Sequence, residues 1–320
     1  MSKCPCCNSD KTYNILNIDR YTIFKCKFCK LIFSTPFPTN EELKLFYQGF
    51  LFNQPNLNTK DKLIRTKKNY LQNIFNTENM NLSGKTFLDY GGGTGLSFKA
   101  ASELGLDSYY FDLDEEAIQF VKEYFNLSEN NLIKDLMSCN ITFDFILSDN
   151  VIEHVTDPKS FVLDLYNKLN KEGALIIKTP NAGNTDFLFY PFSIIPNYFI
   201  KIIKYNSVLK SINAMFHRYW HCEPPRHIYS FSKKSIKEIC NKLNIPNKAV
   251  QFKYKDIPLY KNSILEYIFI KRTKISLLKK TILLSLLPFE FILKSIQFCF
   301  RKLHILSKSE LIIIISKSKE

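Results

Sequence analysis

The stretch that decides the fold is Phe87-Leu88-Asp89-Tyr90-Gly91-Gly92-Gly93-Thr94-Gly95, in which a glycine-rich loop directly follows a short apolar run. Glycines let the backbone turn sharply and come close to a ligand. A helical pattern follows at 96–104, so this region is predicted to form a strand, a loop and a helix. The loop lacks the Gly-Lys-Ser/Thr of a Walker loop, and Leu96 stands where the dinucleotide fingerprint needs its third glycine.

Strand-like and helix-like stretches alternate on the C-terminal side of this loop. Alternation of this kind predicts a parallel α/β sheet. A run of isoleucines near the end of the sequence predicts a last strand. The predicted strands are 85–90, 108–113, the weak 132–134, 143–148, 173–178, 249–254 and 310–316.

The glycine loop carries a specific family pattern. Asp89, Gly91, Gly93 and Gly95 form D-x-G-x-G-x-G, which resembles motif I of class I S-adenosylmethionine-dependent methyltransferases. The resemblance, to the methyltransferase domain 23 type, implies a Rossmann-like sheet of seven strands with helices on both faces. It also implies that the loop passes the methionine and ribose parts of S-adenosylmethionine, while Asp89 organises the loop and the amino end of the cofactor.

Three more acids are predicted to contact the cofactor. Asp112 follows Gly91 by 21 residues, near the spacing of about 20 at which an acid holds a ribose diol; Asp114 is a nearby competitor. The resemblance implies that Asp135 contacts the adenine. Asp149, at the exit of the fourth predicted strand, is expected to contact the cofactor because ligands of open α/β sheets bind at the carboxyl ends of strands.

The segment Asp149-Asn150-Val151-Ile152-Glu153-His154-Val155-Thr156-Asp157-Pro158 resembles the family pattern EHV-x-D-P. Its position predicts catalytic roles for Glu153 and His154 near the sulfonium. His154 could take a proton from an acceptor hydroxyl. The alternative, that both residues only orient the loop and cap the next helix, stays open.

The insert at about 181–230 follows the fifth predicted strand and is rich in aromatic and histidine residues. Its segment Pro224-Pro225-Arg226-His227-Ile228-Tyr229-Ser230-Phe231-Ser232 resembles a family segment on the acceptor side. Arginine suits a phosphate and aromatic rings suit a sugar face, so the insert is predicted to hold the acceptor. His227 is a second expected proton acceptor, and a purely structural lid is the alternative.

Four cysteines at the N-terminus form two pairs. Cys4 and Cys7, then Cys26 and Cys29, give two C-x2-C units separated by 18 residues. Two residues between thiolates let one turn direct both sulfurs at a tetrahedral metal, so we predict a structural zinc ribbon with no open coordination position. The alternative is a set of reduced core cysteines without metal.

The chain has 320 residues, with 44 Lys+Arg against 30 Asp+Glu and a net charge of +14. Such an excess of positive charge is typical of proteins that bind nucleic acid, phosphorylated substrates or a membrane surface. A lysine-rich proteome would also produce it. No signal peptide or spanning helix is expected, which predicts a cytoplasmic protein. The stretch 276–303 reads as a basic amphipathic helix, which predicts peripheral contact with the inner face of a membrane; a core helix or dimer interface is the alternative.

These patterns divide the chain into a zinc ribbon at 1–35, a helical linker at 36–80, a methyltransferase domain at 81–262 and 304–320, and the apolar-basic segment at 263–303. Our leading hypothesis is O-methylation of a sugar or a lipid-linked glycan or isoprenoid intermediate. RNA methylation, with the ribbon holding RNA, ranks second because the basic residues are spread out. A non-catalytic subunit that binds S-adenosylmethionine is the third hypothesis.

Overall fold

The computed structural model describes residues 2–39, 41–43, 59–75, 82–183, 207–209, 221–255, 281, 284–303 and 309–318. The chain forms two compact units. The first comprises Met1–Phe37, Pro180–Ile236 and Tyr254–Leu311, and the second comprises Pro38–Thr179, Lys237–Lys253 and Ile312–Glu320. No helix in these described ranges combines the length and the apolar character needed to cross a bilayer.

The helices and strands are numbered in chain order. They are β1 (Thr12–Ile18), β2 (Tyr21–Cys26), β3 (Ile32–Thr35), α1 (Lys60–Phe75), β4 (Thr86–Tyr90), α2 (Leu96–Glu103), β5 (Asp107–Phe111), α3 (Glu115–Phe125), β6 (Phe143–Asp149), α4 (Pro158–Asn167), β7 (Leu169–Pro180), β8 (Tyr229–Ser230), α5 (Lys233–Lys242), β9 (Val250–Lys255), α6 (Leu287–Lys302) and β10 (Glu310–Ser316).

The larger sheet has the strand order β5-β4-β6-β7-β10-β9. Strand β4 pairs in parallel with β5 and β6, and β6 pairs in parallel with β7. Strand β10 runs antiparallel to β7, since the Lys317 amide donates to the Gly173 carbonyl at one end and the Asn181 amide donates to the Ser309 carbonyl at the other. The predicted α/β sheet with parallel strands is therefore confirmed.

One predicted strand of this sheet is reduced to a single bridge. The prediction was seven strands, and the described residues form six. The weak segment 132–134 contributes only a parallel bridge between Leu132 and Tyr110. It cannot extend because Asp135 starts a turn immediately after it, accepting hydrogen bonds from the amides of Met137 and Ser138.

Helix α1 supplies part of the core of the second unit. Its Ile64, Leu71 and Ile74 are buried in the same cluster as Phe87 of β4. Full burial of one such aliphatic side chain contributes about 1.5–3 kcal/mol. The segment predicted as a helical linker therefore contains a helix that belongs to the core; residues 40, 44–58 and 76–80 of the linker lie outside the described residues.

The smaller sheet has the order β1-β2-β3-β8 and belongs to the first unit. Strand β8 comes from the end of the insert and pairs with β3, with Phe33 opposite Tyr229 and Ile32 opposite Ser230. The Ser34 amide donates to the Ile228 carbonyl beside this pairing. The strands that flank the cysteine pairs thus hold the segment around His227 by main-chain hydrogen bonds.

Candidate functional site

The glycine loop between β4 and α2 has a backbone that only glycine adopts readily. Gly91, Gly93 and Gly95 have φ values of 68°, 50° and 66°. A Cβ at Gly91 would lie 2.5 Å from Val151 Cγ2, and one at Gly95 would lie 2.6 Å from Val121 Cγ2. At Gly93 a Cβ would meet nothing within 4 Å. The loop is packed at its two ends and open at its centre, which is a shape that can admit a ligand against the backbone.

Asp89 fixes the start of helix α2. Its Oδ2 accepts a hydrogen bond of 2.9 Å from the Phe98 amide. The side chain is buried, and burial raises the pKa of Asp89 to about 7. Through this hydrogen bond the Asp89 side chain connects the end of β4 to the first turn of α2, on either side of the glycine loop. This contact is compatible with the role that the resemblance implies, in which Asp89 organises the loop.

The structure separates the two acids that compete after β5. Asp114 caps helix α3, because its side chain accepts a hydrogen bond from the Glu116 amide. Asp112 instead faces the glycine loop, where its Oδ2 accepts a 2.7 Å hydrogen bond from the Gly93 amide. Burial raises the pKa of Asp112. Each carboxylate oxygen has a second lone pair, so Asp112 keeps acceptor capacity for the hydroxyls of a ribose.

Asp149 is held between two lysines that the sequence analysis missed. Its Oδ1 lies 2.8 Å from Lys178 Nζ at the end of β7, and its Oδ2 lies 3.0 Å from Lys67 Nζ of α1. Burial acts to raise the pKa of Asp149, but the two ammonium groups outweigh it and leave the pKa below its usual value. These ion pairs tie three elements together at the carboxyl edge of the sheet. The sequence feature that could have indicated Lys178 is its position at the end of the apolar run Leu175-Ile176-Ile177-Lys178.

Replacement of Lys178 tests this network. Lys178→Met is expected to lower the free energy of unfolding by about 1–3 kcal/mol, because it leaves a largely buried carboxylate with one ammonium partner, Lys67, beside the Asn150 amide that donates to its Oδ1. The loss should persist from pH 8 to about pH 5, since the lowered pKa keeps Asp149 ionised over that range. Chemical denaturation measures it. The control is Lys68→Met, which breaks a more exposed pair with Glu103 and should cost less than about 1 kcal/mol. Equal losses in both variants would contradict the network's role.

Glu153 and His154 lie in the turn after β6. The Glu153 carboxyl is buried, and its Oε2 accepts a 3.0 Å hydrogen bond from Thr179 Oγ1. Its Oε1 has no hydrogen-bond partner in the described part of the chain. Burial raises the pKa of Glu153 to about 7. The half-buried His154 donates its backbone amide to the Val151 carbonyl at 2.9 Å, which closes the turn.

His227 belongs to the first unit, whereas Glu153 and His154 belong to the second. The His227 side chain is largely buried, and its Nε2 accepts a 3.1 Å hydrogen bond from Arg226 Nε. That bond assigns the proton of a neutral imidazole to Nδ1. The aromatic residues at 187–199 and Trp220, which the insert prediction also used, lie outside the described residues.

The four predicted metal ligands come together. All four sulfurs of Cys4, Cys7, Cys26 and Cys29 lie within 4.8 Å of one another. The pairs Cys4–Cys29 and Cys7–Cys26 have Sγ–Sγ distances of 3.5 and 3.6 Å. Four sulfurs at about 2.3 Å from one tetrahedral zinc are about 3.8 Å apart, so the cluster has the size of such a site. The neighbouring Cys6 takes no part, because its Sγ donates to the Ser235 carbonyl at 3.1 Å.

A comparison with models of known protein families finds a match over the part of the chain that carries the glycine loop and the strands around it. The family model of a methyltransferase domain, Methyltransf_23, matches residues 62–247. The chain belongs to this family of S-adenosylmethionine-dependent methyltransferase domains. The match begins in α1, so the methyltransferase domain includes the helix that supplies Lys67.

Three known proteins illustrate what this methyltransferase domain is similar to. A mitochondrial ubiquinone biosynthesis O-methyltransferase from Schizosaccharomyces pombe is 27% identical over 36% of this chain and 44% of its own length. A ubiquinone biosynthesis O-methyltransferase from Parvibaculum lavamentivorans is 34% identical over 30% of this chain and 40% of its own length. The chain therefore spans less than half of these relatives. A solved S-adenosylmethionine-dependent methyltransferase from Archaeoglobus fulgidus is 16% identical, with a TM-score of 0.42 over 78% of this chain and 94% of its own.

Proposed function

We propose that the protein transfers a methyl group from S-adenosylmethionine to a hydroxyl of a sugar or of a lipid-linked glycan or isoprenoid intermediate. The observation that carries the proposal is the buried Glu153 carboxyl at the carboxyl end of β6, with a pKa raised to about 7 and one oxygen without a hydrogen-bond partner among the described residues. A hydroxyl must lose its proton on methylation, and a base is most effective when its pKa lies near the working pH. The names of the distant relatives also support an oxygen acceptor.

The residues around the glycine loop fit the cofactor. The open side of Gly93 leaves room for a ligand against the backbone, and Asp112 would accept hydrogen bonds from the ribose hydroxyls. When bound, S-adenosylmethionine supplies an electrophilic methyl group on its sulfonium. The predicted contacts of Asp135 with the adenine and of Asp149 with the cofactor stay predictions, since the Asp135 carboxylate caps its own turn and Asp149 pairs with two lysines.

Glu153 performs the proton transfer in this proposal. Its Oε1 accepts the proton of the acceptor hydroxyl as that oxygen forms its bond to the methyl carbon and the carbon–sulfur bond breaks. Thr179 donates to Oε2 and holds the carboxylate in place. Alignment of the acceptor contributes more than proton removal, because the transfer needs the oxygen, carbon and sulfur in line. The roles predicted for His154 and His227 as proton acceptors stay predictions.

Replacement of Glu153, the proposed base, is expected to change the rate of methyl transfer and the stability of the fold in different ways. Glu153→Gln is expected to lower the rate of methyl transfer by about 10²–10⁴-fold. The wild-type rate should rise with pH and level off above about pH 7. Because the folded pKa lies above the ordinary value of 4.5, the stability contributed by Glu153 is present below pH 4.5 and lost as the pH rises to about 7. The variant should therefore unfold at a higher temperature than wild type at pH 8 and at a similar one at pH 4.5.

The conservative variant Glu153→Asp is the control for this assignment. It keeps the carboxyl group but withdraws it by one methylene, so it should retain part of the rate and the pH dependence. An unchanged rate in Glu153→Gln, with normal binding of S-adenosylmethionine, would reject Glu153 as the base.

The acceptor is identified by label transfer. Purified protein is mixed with native cell extract and methyl-tritiated S-adenosylmethionine, and the lipid, soluble sugar, RNA and protein fractions are then counted. We expect label in the lipid or sugar fraction with wild type and its loss with Glu153→Gln. Label in RNA would replace the proposal with RNA methylation. No label in any fraction, with the cofactor still bound, would favour a non-catalytic subunit.

We further propose that Cys4, Cys7, Cys26 and Cys29 hold one structural zinc ion. The four sulfurs lie within 4.8 Å of one another, and four thiolates this close together need a cation between them. Four sulfur ligands fill a tetrahedral site. The ion in this proposal stabilises the ribbon and takes no part in methyl transfer.

A further inference from the structure

Helix α6 presents an apolar face to solvent. The exposed side chains of this face, which we call the α6 apolar face, have exposed fractions between 38% and 74%. They are Phe289, Phe291, Ile292, Ile296, Phe298 and Leu303. At 100° per residue these six positions cover about half of the helix circumference. An exposed aromatic and aliphatic surface of this kind marks an interaction site more often than a solvated helix.

The helix is oriented with its charged pair away from solvent. Glu290 is only 4% exposed, and Lys294 pairs with it at 2.7 Å. A helix that merely covers a core has the opposite arrangement, with its apolar side inward and its charges outward. The sequence analysis predicted an amphipathic helix here, but the sequence did not show which side faces solvent. Solvent exposure of the apolar side leaves this face available to a partner surface.

We propose that the α6 apolar face inserts into the headgroup–acyl boundary of an anionic lipid bilayer. The segment 271–303 carries eight Lys and Arg residues against one acid, Glu290, and the whole chain has a net charge of +14. Lys302 lies beside Phe298 on this face, with its Nζ 5.7 Å from the centre of the Phe298 ring. Phenylalanines that enter the boundary beside lysines that meet anionic headgroups are the combination that in-plane membrane helices use.

A second copy of the chain fits this surface less well. Two copies would each bring a net charge of +14, which opposes association, whereas an anionic bilayer attracts it. Helix α6 has 16 residues. A helix of that size is about 24 Å long and about 10–12 Å wide, so its face covers roughly 250–300 Å². A standard protein interface buries about 800 Å² on each partner. Insertion of a few side chains into lipid needs no comparable area.

Vesicle flotation of the full chain tests the proposal. We expect wild type to float with phosphatidylcholine vesicles that contain about 30% phosphatidylglycerol, and less with pure phosphatidylcholine. Phe291→Gln/Phe298→Gln should weaken binding to the anionic vesicles at least tenfold, since burial of each ring contributes substantially. Binding of S-adenosylmethionine should be unchanged, which verifies the fold and keeps this result separate from the proposed reaction.

The control is Val208→Gln/Leu209→Gln in the first unit. These side chains are 52% and 80% exposed, which matches the 74% and 53% of Phe291 and Phe298, and the control should float like wild type. Cys299 is the one exposed cysteine of the nine, so a polarity-sensitive dye on it should shift to the blue when vesicles are added. Equal loss of flotation in both variants, or no flotation of wild type, would overturn the proposal. A doubled mass in sedimentation that Phe291→Gln/Phe298→Gln abolishes, with no flotation, would assign the face to a second copy.

Discussion

Gly93→Arg is expected to weaken binding of S-adenosylmethionine at least 100-fold while the second unit stays folded. A side chain at Gly93 would project into open space at the centre of the loop, with nothing within 4 Å of its Cβ. The arginine would therefore occupy the room left for the cofactor without displacing protein atoms. The positive φ of 50° adds a backbone cost of about 1–2 kcal/mol. Isothermal titration with S-adenosylmethionine measures the loss, and thermal unfolding measures the cost in stability.

Gly105→Arg is the matched control. Gly105 also has a positive φ, of 88°, and open space around its Cβ, but it follows helix α2 at the end away from the glycine loop. Both variants should lose similar stability, and only Gly93→Arg should lose the cofactor. If Gly105→Arg lost binding as well, the effect would come from general destabilisation, and the placement of the cofactor at Gly93 would be wrong.

Cys7→Ser is expected to remove bound zinc and to release the segment that ends the insert. Strand β8 pairs with β3, and Ser232 Oγ donates to the Cys29 carbonyl at 3.3 Å, so this segment depends on the folded ribbon. A structural zinc site of this kind contributes a large part of the folding free energy of a small unit. Amide hydrogen exchange at 228–232 should accelerate at least 100-fold, and the zinc content of the purified protein should fall below one ion per chain.

Cys6→Ser, one residue away, is the control for zinc. Cys6 is buried but lies outside the four-cysteine cluster, and a serine hydroxyl can keep its hydrogen bond to the Ser235 carbonyl. This variant should hold zinc and keep slow exchange in the same segment. Loss of zinc in Cys6→Ser would make Cys6 a ligand. Unchanged exchange after removal of zinc by a chelator would mean that the ribbon holds the segment without metal.

The local parts of the site could be predicted from sequence. The glycine loop can be recognised in the sequence because positive φ values and close packing require glycine at fixed spacing. Asp89 precedes the loop at a fixed distance and adds to the pattern. The choice between Asp112 and Asp114 was open in the sequence because both follow β5. In the structure Asp112 accepts a hydrogen bond from the glycine loop, whereas Asp114 caps α3, and this difference depends on the backbone path after β5.

The long-range parts could not be predicted from one sequence. Lys67 lies 82 residues before Asp149, and an ion pair over that separation leaves no periodic pattern. The pairing of β3 with β8 is similar: only two residues of the insert form the strand, which is too short for any sequence signal. The prediction of a strand at 132–134 was wrong for a local reason. Its apolar residues suggested a strand, but the turn at Asp135 limits the pairing to one bridge.

The position of β10 between β7 and β9 has a consequence for the synthesis of the protein. Strand β9 ends at Lys255 but has no neighbour in the sheet until residues 310–316 have left the ribosome. During that interval one edge of β7, which carries Leu175, Ile176 and Ile177, stays unpaired on the nascent chain. Open edges of apolar strands pair with other chains. Ribosomes that follow one another on a single message would therefore hold several such edges close together until β10 is made.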